Sequence, residues 1–231
     1  PIINNLAKTH YRWGENVDVV VRMPTGAGVG AGPFHSQSNE AWFTHTPGLK
    51  VVYPAFPEDA KGLLNASIND PNPVMFFEQK SLYSVKGEVP DGEHVDTLGA
   101  ARVVCTGTDV TIAALAAMVP RALKAAKILK SEHGISASVI DIRSLVPLDT
   151  QTLLKSVSET GRLVTVEENP RLCGWGAEVA SIVAEELFWD LDGPIVRVTT
   201  PHVPLPSAAS LEDEVLPNVE RIVRSVQRLV D

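Results

Sequence analysis

Residues 17–54 read VDVVVRMPTGAGVGAGPFHSQSNEAWFTHTPGLKVVYP, an apolar strand followed by a glycine-rich loop and then a histidine. Glycine recurs at every second position from Gly26 to Gly32, and Pro33 and Phe34 then precede His35. Glycine lets the backbone adopt positive φ angles and approach a ligand closely, so such a loop is typical of a binding site. An unperturbed histidine titrates near ~6.5, which suits proton transfer at neutral pH. His35 is the candidate catalytic residue, and a loop histidine bonded only to backbone carbonyls is the plainer alternative.

The same glycines satisfy the dinucleotide-binding spacing G-x-G-x-x-G/A through Gly26, Gly28 and Ala31. That fingerprint requires a helix directly after the glycines, which the later glycines and Pro33 oppose. It also requires an acidic residue at the end of the next strand, and residues 50–53 are followed by Pro-Ala instead. We therefore expect no nicotinamide site. Neither a Gly-Lys-Ser/Thr phosphate loop nor a G-x-S-x-G nucleophile motif occurs in the sequence.

Apolar strands alternate with helical segments in both halves of the chain, which predicts α/β architecture with mainly parallel sheets. The strands are predicted at 17–22, 50–53, 73–77, 101–105, 110–115, 136–142, 162–167 and 195–199. The helices are predicted at 2–13, 37–46, 57–69, 117–131, 150–160, 175–189 and 217–230. A polar stretch rich in glycine and proline separates the halves and predicts a surface linker. The expected division is a first domain at 1–79, a linker at 80–98 and a second, doubly wound domain at 99–231.

Composition narrows the possible functions. The chain has 231 residues, 44% of them hydrophobic, and a formal net charge of −8, which argues against nucleic acid or an anionic membrane as its main partner. No apolar run approaches the ~20 residues of a membrane span. Cys105, in an expected buried strand, and Cys173, in a loop, lack metal-ligand spacing, so both are interpreted as reduced structural thiols.

Longer motifs extend over essentially the whole chain. They are HSQSNEAWF (35–43), PGLKVVYP (47–54), DAKGLL (59–64), DPNPV (70–74), LYSVKGEVP (82–90), DVTIAALAAMV (109–119), VIDIRSLVPLD (139–149) and ENPRLCGWGAEVA (168–180). Together they resemble the beta subunit of the decarboxylating component of 2-oxo acid dehydrogenase complexes. Members of that family act on pyruvate, branched-chain 2-oxo acids or acetoin with thiamine diphosphate. The resemblance leaves open which 2-oxo acid this protein would use.

The resemblance implies both a fold and a reaction. The fold is the C-terminal half of a thiamine-diphosphate pyrimidine-binding domain, followed by a transketolase C-terminal-like domain. The reaction is oxidative decarboxylation with acyl transfer to a lipoyl group, and His35 matches the histidine that faces the substrate. The cofactor and its Mg²⁺ would be bound mainly by an alpha subunit and by a family segment expected upstream of Pro1, with no cofactor-binding residue in this span. We therefore expect these residues to be inactive alone.

The resemblance also implies a structural potassium ion, held by residues that match Val19, Val20, Ser67, Asp70 and Asn72. A simple turn in which Asp70 bonds its own backbone remains an equal alternative. The implied partners are the alpha subunit, a second beta subunit, the lipoyl-bearing acyltransferase core and the 2-oxo acid, with neither nucleic acid nor membrane. The implied location is the bacterial cytoplasm or the mitochondrial matrix.

Three other expectations can be compared with the structure. Glu167, Glu168 and Asn169 follow a strand and are interpreted as a solvated acidic turn rather than a ligand site. A second functional class is a non-catalytic assembly or docking module for the acyltransferase core, with Phe188 and Trp189 as contacts, although aromatic residues are more often in the core. A transketolase-type enzyme is the third possibility, and assay with ketose phosphates would distinguish it.

Overall fold

The computed structural model describes residues 1–230. The strands are β1 (Val20–Thr25), β2 (Lys50–Val52), β3 (Val74–Gln79), β4 (Arg102–Cys105), β5 (Val110–Ala114), β6 (Ala137–Asp141), β7 (Ser144–Val146), β8 (Leu163–Pro170) and β9 (Val196–Thr200). The helices are α1 (Ala7–Trp13), α2 (Gly32–His35), α3 (Glu40–Thr44), α4 (Pro57–Ile68), α5 (Met118–His133), α6 (Thr150–Thr160), α7 (Trp175–Leu187), α8 (Ala209–Val215) and α9 (Val219–Val230). A π-helical turn (Ile2–Leu6) leads into α1.

The first sheet has the order β1-β3-β2-β7, in which the first three strands are parallel and β7 is antiparallel to β2. The β3 strand is the most buried, because it is paired on both sides and covered on both faces. On one face Leu63 of α4 packs with Phe76, and on the other Phe43 of α3 lies 5.8 Å from Phe77 between ring centroids. Proline at the first position of α4 and the acids in its first turn favour a helix start there.

The second sheet has the order β4-β6-β5-β8-β9, with β4 antiparallel and the other four strands parallel. Helices α5 and α9 cover one face, and α6 and α7 cover the other. The predicted cap of α6 is confirmed, since Asp149 Oδ1 accepts a hydrogen bond of 3.0 Å from the Thr152 amide. This is a doubly wound α/β arrangement, as the sequence predicted.

The two sheets are joined by packing as well as by the chain. Strand β7 comes from the second half of the sequence but pairs with β2 of the first sheet. One apolar cluster contains Tyr53 and Phe77 from the first half together with Ile140 and Trp175 from the second. The division at 1–79, 80–98 and 99–231 stays a prediction, because the core continues across it.

Several predicted features need correction. The first strand begins at Val20 rather than at residue 17, and the strand β7 and helix α8 were not predicted because each is too short to show a clear period. Helix α7 ends at Leu187, before the predicted residue 189. Cys105 is only half-buried, because β4 lies at the edge of its sheet. Cys173 is exposed, and in the described part of the chain neither cysteine forms a disulfide.

The segment predicted as a linker lies along α4. Lys61 Nζ donates hydrogen bonds to the carbonyls of Pro90 and Gly92 at 2.6 and 2.7 Å, and the Asn65 side chain donates to the carbonyl of His94 at 2.8 Å. These contacts fix the path of the segment over the surface of the first sheet. Among residues 1–230, no helix has both the length and the apolar character needed to cross a membrane.

Candidate functional site

The glycine loop (residues 26–32) is closed by hydrogen bonds that join its start to the segment after His35. The amide of Gly26 donates to the carbonyl of Gln37 at 2.9 Å, and the Thr25 hydroxyl donates to the same carbonyl. Gly26 has φ +87°, and a Cβ there would lie 2.2 Å from the Gln79 side chain. Gly32 has φ +69°, and a Cβ there would lie 2.2 Å from Ser207 Oγ. Glycine is therefore required at both positions by backbone conformation and by space.

His35 is the last residue of α2 and is exposed at the end of this loop. The Lys80 ammonium, just after β3, donates to the carbonyl of His35 and so fastens the backbone there. Within residues 1–230, the imidazole itself makes no hydrogen bond. The plainer alternative, a histidine satisfied by backbone carbonyls, therefore does not describe this side chain. Its catalytic role stays a prediction.

Glu168 connects the second sheet to the glycine loop. Its Oε1 accepts hydrogen bonds from the Ala27 amide at 2.7 Å and from Ser38 Oγ at 2.9 Å, and its Oε2 accepts from Gln79 Nε2 at 3.2 Å. Only 9% of Glu168 is exposed. The expectation of a solvated acidic turn is therefore wrong. The strand β8 continues through these residues, and its carboxyl end lies against the loop.

Glu40 is a second buried acid at the same place, and sequence reasoning missed it. Glu40 is 2% exposed, and its Oε1 accepts a hydrogen bond of 2.5 Å from Asn169 Nδ2. Burial, together with the nearby charges of Glu168 and Glu167, raises the pKa of Glu40 to about 8. Burial therefore favours the protonated form of Glu40. Its place directly after HSQSN was visible in the sequence, but its burial was not.

Glu167 has a different set of partners. It is fully buried, accepts a hydrogen bond from Arg197 Nη2 at 2.8 Å and another from the Gly176 amide at 3.2 Å. Burial raises the pKa of Glu167, whereas Arg197 and the Gly176 amide act to lower it. This pair ties β8 to β9 and to the start of α7, so its role is structural.

A cleft of about 560 Å³ lies between the loop region and the ends of β8 and β9. Its walls are largely apolar, and Glu168 and Asn169 also line it. Phe34 and Gln37, on either side of His35 in sequence, line this cleft, whereas His35 does not. The structure thus brings the His35 segment and the second sheet together around one cavity.

The glycine loop does not fit a diphosphate. Its Ala27 amide donates to the Glu168 carboxylate, and its Gly30 amide donates to Glu212 of α8 at 3.2 Å. Two backbone N–H groups that could bind a phosphate oxygen are thus engaged by acids, and acids repel phosphate. The helix after the loop has only four residues, which also disagrees with a dinucleotide fingerprint. In the described part of the chain, no group of three or more His, Cys, Asp or Glu residues could hold a metal ion.

The five residues predicted to hold potassium lie at the start of β1 and around the turn after α4. The Asp70 side chain does not fit a cation, because one oxygen is paired with the Lys50 ammonium and the other accepts from the amide and side chain of Asn72. The Ser67 hydroxyl donates to the carbonyl of Leu63. Backbone carbonyls in this turn keep a second lone pair and are the type of ligand that potassium prefers. The site stays a prediction.

Phe188 and Trp189 are 60% and 92% exposed, so the expectation that they belong to the core is wrong. The two rings pack edge to face, with centroids 5.0 Å apart, in a short helical turn after α7. They form an exposed aromatic pair.

Comparison with known proteins gives a consistent result. Residues 3–86 match the pyrimidine-binding domain of transketolase, and residues 99–222 match the transketolase C-terminal domain. The chain is 47% identical to the mitochondrial pyruvate dehydrogenase E1 component subunit beta-1 of Oryza sativa subsp. japonica, over 98% of the chain and 62% of the relative. It is 46% identical to the acetoin:2,6-dichlorophenolindophenol oxidoreductase subunit beta of Bacillus subtilis, over 96% of the chain and 65% of the relative.

Among solved structures, a split-gene transketolase described as an inactive beta4 tetramer superposes with a TM-score of 0.77 and 29% identity. That match covers 93% of this chain and 68% of the other. The chain thus spans less than two thirds of the length of the rice and Bacillus relatives. The predicted fold class and the resemblance are both confirmed. The chain belongs to the transketolase-like family of beta subunits, in which a pyrimidine-binding domain is followed by a transketolase C-terminal domain.

Proposed function

We propose that the chain works as part of the beta subunit of a thiamine-diphosphate-dependent 2-oxo acid dehydrogenase component. That component decarboxylates a 2-oxo acid and transfers the acyl group to a lipoyl arm. The observation that carries the proposal is the 47% and 46% identity, over nearly the whole chain, to beta subunits named for pyruvate dehydrogenase and for acetoin oxidoreduction. The accessible His35 imidazole at the end of a fixed loop supports it.

His35 is the proposed catalytic residue of this chain. Its backbone is fixed by Lys80 and by the closed loop, while its imidazole is exposed and able to reach a ligand. When acyl transfer opens the lipoyl disulfide, one sulfur takes the acyl group and the other leaves as a thiolate. An imidazolium at His35 donates its proton to that thiolate and stabilises negative charge as it develops.

The remaining chemistry lies outside the glycine loop of this chain. Thiamine diphosphate, when bound, supplies the electron sink for decarboxylation. The proposed partners are an alpha subunit, which binds the diphosphate and Mg²⁺, a second beta subunit and the lipoyl-bearing acyltransferase core. The proposed location is the bacterial cytoplasm or the mitochondrial matrix, since relatives include the mitochondrial rice protein and the Bacillus protein.

The test uses the assembled enzyme, with the alpha subunit co-expressed, and compares His35→Ala with His133→Ala. His133 is exposed at the end of α5 and serves as the matched control. We expect His35→Ala to lower acyl transfer to lipoamide by about 10²-fold or more, the typical contribution of general acid catalysis, with little change in cofactor affinity. Unchanged lipoamide turnover in His35→Ala would reject the assignment. Turnover of ketose phosphates by the intact enzyme would instead favour a transketolase-type activity.

A second candidate function is docking of the acyltransferase core. The exposed aromatic pair Phe188–Trp189 favours it, because exposed aromatic residues are enriched at protein interfaces. The two functions are compatible, since an enzyme of a multienzyme complex must also be held within it.

A further inference from the structure

Two neighbouring residues of β8 hold the His35 segment on both sides of the histidine. Glu168 accepts hydrogen bonds from the amide of Ala27, before His35, and from the hydroxyl of Ser38, after it. Asn169 donates from its side chain to Glu40, at the start of α3. The segment from Ala27 to Glu40 is therefore fastened to the second sheet at three points, one through its backbone and two through side chains.

The two acids differ in the hydrogen bonds that they accept. All three groups bonded to Glu168 are donors, so its carboxyl group must act as an acceptor on both oxygens, which an ionised carboxylate does. Glu40 receives one donor on Oε1, and its buried Oε2 has no partner among residues 1–230. Burial of a carboxyl group with one unpaired oxygen beside another acid favours its protonated form.

The charged groups around Glu40 and Glu168 favour a proton on Glu40 rather than on Glu168. Glu167 faces Glu40 from β8 but is already paired with Arg197 of β9. Tyr53, after β2, is buried beside the pair, and burial and the two acids raise its pKa, so it stays neutral. Burial raises the pKa of Glu168 overall, whereas its hydrogen bonds and the charge of Arg121 of α5 act to lower it. The positive charge near the pair thus acts on Glu168, and no cation forms an ion pair with Glu40 in the described residues.

We propose that Glu168 and Glu40 form a carboxylate–carboxylic acid pair that positions the His35 segment, with Glu168 ionised and Glu40 protonated. Both are positioning residues, and the functional meaning of the pair rests on the proposed role of His35. When Glu40 ionises at alkaline pH, a second buried negative charge repels Glu168 and loosens the segment from β8. The pair therefore makes the placement of His35 dependent on pH.

The first experiment measures the protonation state directly in the full chain. Infrared difference spectra at pH 7 compare the unmodified protein with Glu40→Gln, Glu168→Gln and the exposed-acid control Glu185→Gln. We expect a carbonyl band of a protonated carboxylic acid that disappears only in Glu40→Gln, whereas any band of the buried Asp141 remains in all variants. Absence of that band, or its loss in Glu168→Gln instead of Glu40→Gln, would overturn the proposal.

The second experiment measures hydrogen exchange of the Ala27 amide in the same variants. We expect exchange at least about tenfold faster in Glu168→Gln, because in that variant the Ala27 amide donates to a neutral side-chain oxygen instead of a carboxylate. In the unmodified protein Ala27 exchange, corrected for its intrinsic pH dependence, accelerates as Glu40 ionises near pH 8, and Glu40→Gln removes this pH dependence. A pH profile that is identical in Glu40→Gln would overturn the proposal, since a purely structural contact predicts no such loss.

A milder variant covers the case in which Glu168→Gln does not fold. Ser38→Ala removes one donor to Glu168 and leaves the Ala27 contact, so a smaller increase in Ala27 exchange is expected, with strands β5 and β8 still protected. Unchanged exchange in Ser38→Ala together with an unfolded Glu168→Gln would count against the pair. These readouts need no substrate. If His35→Ala leaves lipoamide turnover unchanged, the proposed function fails. The infrared and exchange results still test whether Glu168 and Glu40 form the proposed pair.

Discussion

The Glu168 carboxylate accepts a hydrogen bond of 2.7 Å from the backbone amide of Ala27, although 141 residues separate the two in sequence. Both ends of this bond are buried, and Gln79 bridges them by donating to Glu168 Oε2 and to the carbonyl of Ala27, at 3.2 Å each. The glycine loop thus owes its conformation to a strand of the other sheet. Substitutions in β8 should therefore affect the His35 segment as much as substitutions within the loop.

Gly26 provides a direct test of this contact. Gly26→Ala places a Cβ within 2.2 Å of the Gln79 side chain, at a backbone φ of +87° that disfavours alanine. We expect the free energy of unfolding to fall by ~1–3 kcal/mol from strain, plus the weakening of the Gln79–Glu168 bond. Urea denaturation measures this loss.

Gly92→Ala is the matched control for Gly26→Ala. Gly92 also has a positive φ of +72°, but a Cβ there would have no neighbour within 4 Å. This variant should therefore lose only the ~1–2 kcal/mol that a left-handed conformation costs. Equal losses in the two variants would show that the Gln79 contact contributes little to stability.

Glu40 should make stability decrease with rising pH. Because its folded pKa of about 8 lies above the ordinary value of 4.5, the folded state binds more protons than the unfolded state between these values. This stabilisation is complete below about pH 4.5 and is lost as the pH rises through about 8. The free energy of unfolding falls over this range by at most ~1.4 kcal/mol per pH unit. Glu40→Gln should flatten this profile and Glu185→Gln should not, as chemical denaturation at several pH values can measure. An unchanged slope in Glu40→Gln would contradict the raised pKa.

The exposed aromatic pair predicts an effect on docking without an effect on stability. Trp189 is 92% exposed, so Trp189→Ala should change the free energy of unfolding by less than ~0.5 kcal/mol. In a pull-down against the acyltransferase core, we expect Trp189→Ala to weaken retention, while Trp13→Ala, at a 63% exposed residue of α1, leaves it unchanged. Equal retention of both variants would remove Phe188–Trp189 as the docking contact.

The predicted potassium site would make the melting temperature depend on which salt is present. Because Lys50 is paired with the Asp70 carboxylate, an ion at this turn would have to bind backbone carbonyls, the ligand type found in potassium-selective sites. We therefore expect a higher melting temperature in KCl than in NaCl at equal ionic strength. The effect should persist in Asp70→Asn, although that variant is less stable because it loses the Lys50 ion pair. Identical melting temperatures of the unmodified protein in the two salts would exclude the site.

Much of the architecture could be predicted from local patterns. The alternation of apolar strands and helices predicted both sheets, since period and turn residues are properties of short segments. Short elements escaped this reasoning: β7 has three residues, and it forms a strand because β2 offers it an edge to pair with. Local patterns also could not predict the exposure of Phe188 and Trp189, because that exposure depends on where α7 ends rather than on their own apolar character.

The sequence by itself determined that His35 follows a glycine loop, because the glycines that permit the positive φ angles are local to it. It also determined family membership, through motifs spread over the chain. Only the tertiary structure decided the environments of Glu40 and Glu168, which lie 128 residues apart in the numbering and meet where the end of β8 and the loop converge. A carboxyl group's proton depends on its burial and on the charges around it, and those come from packing between distant segments. The sequence therefore specified which acids are present, and the fold specified the surroundings that set their charge.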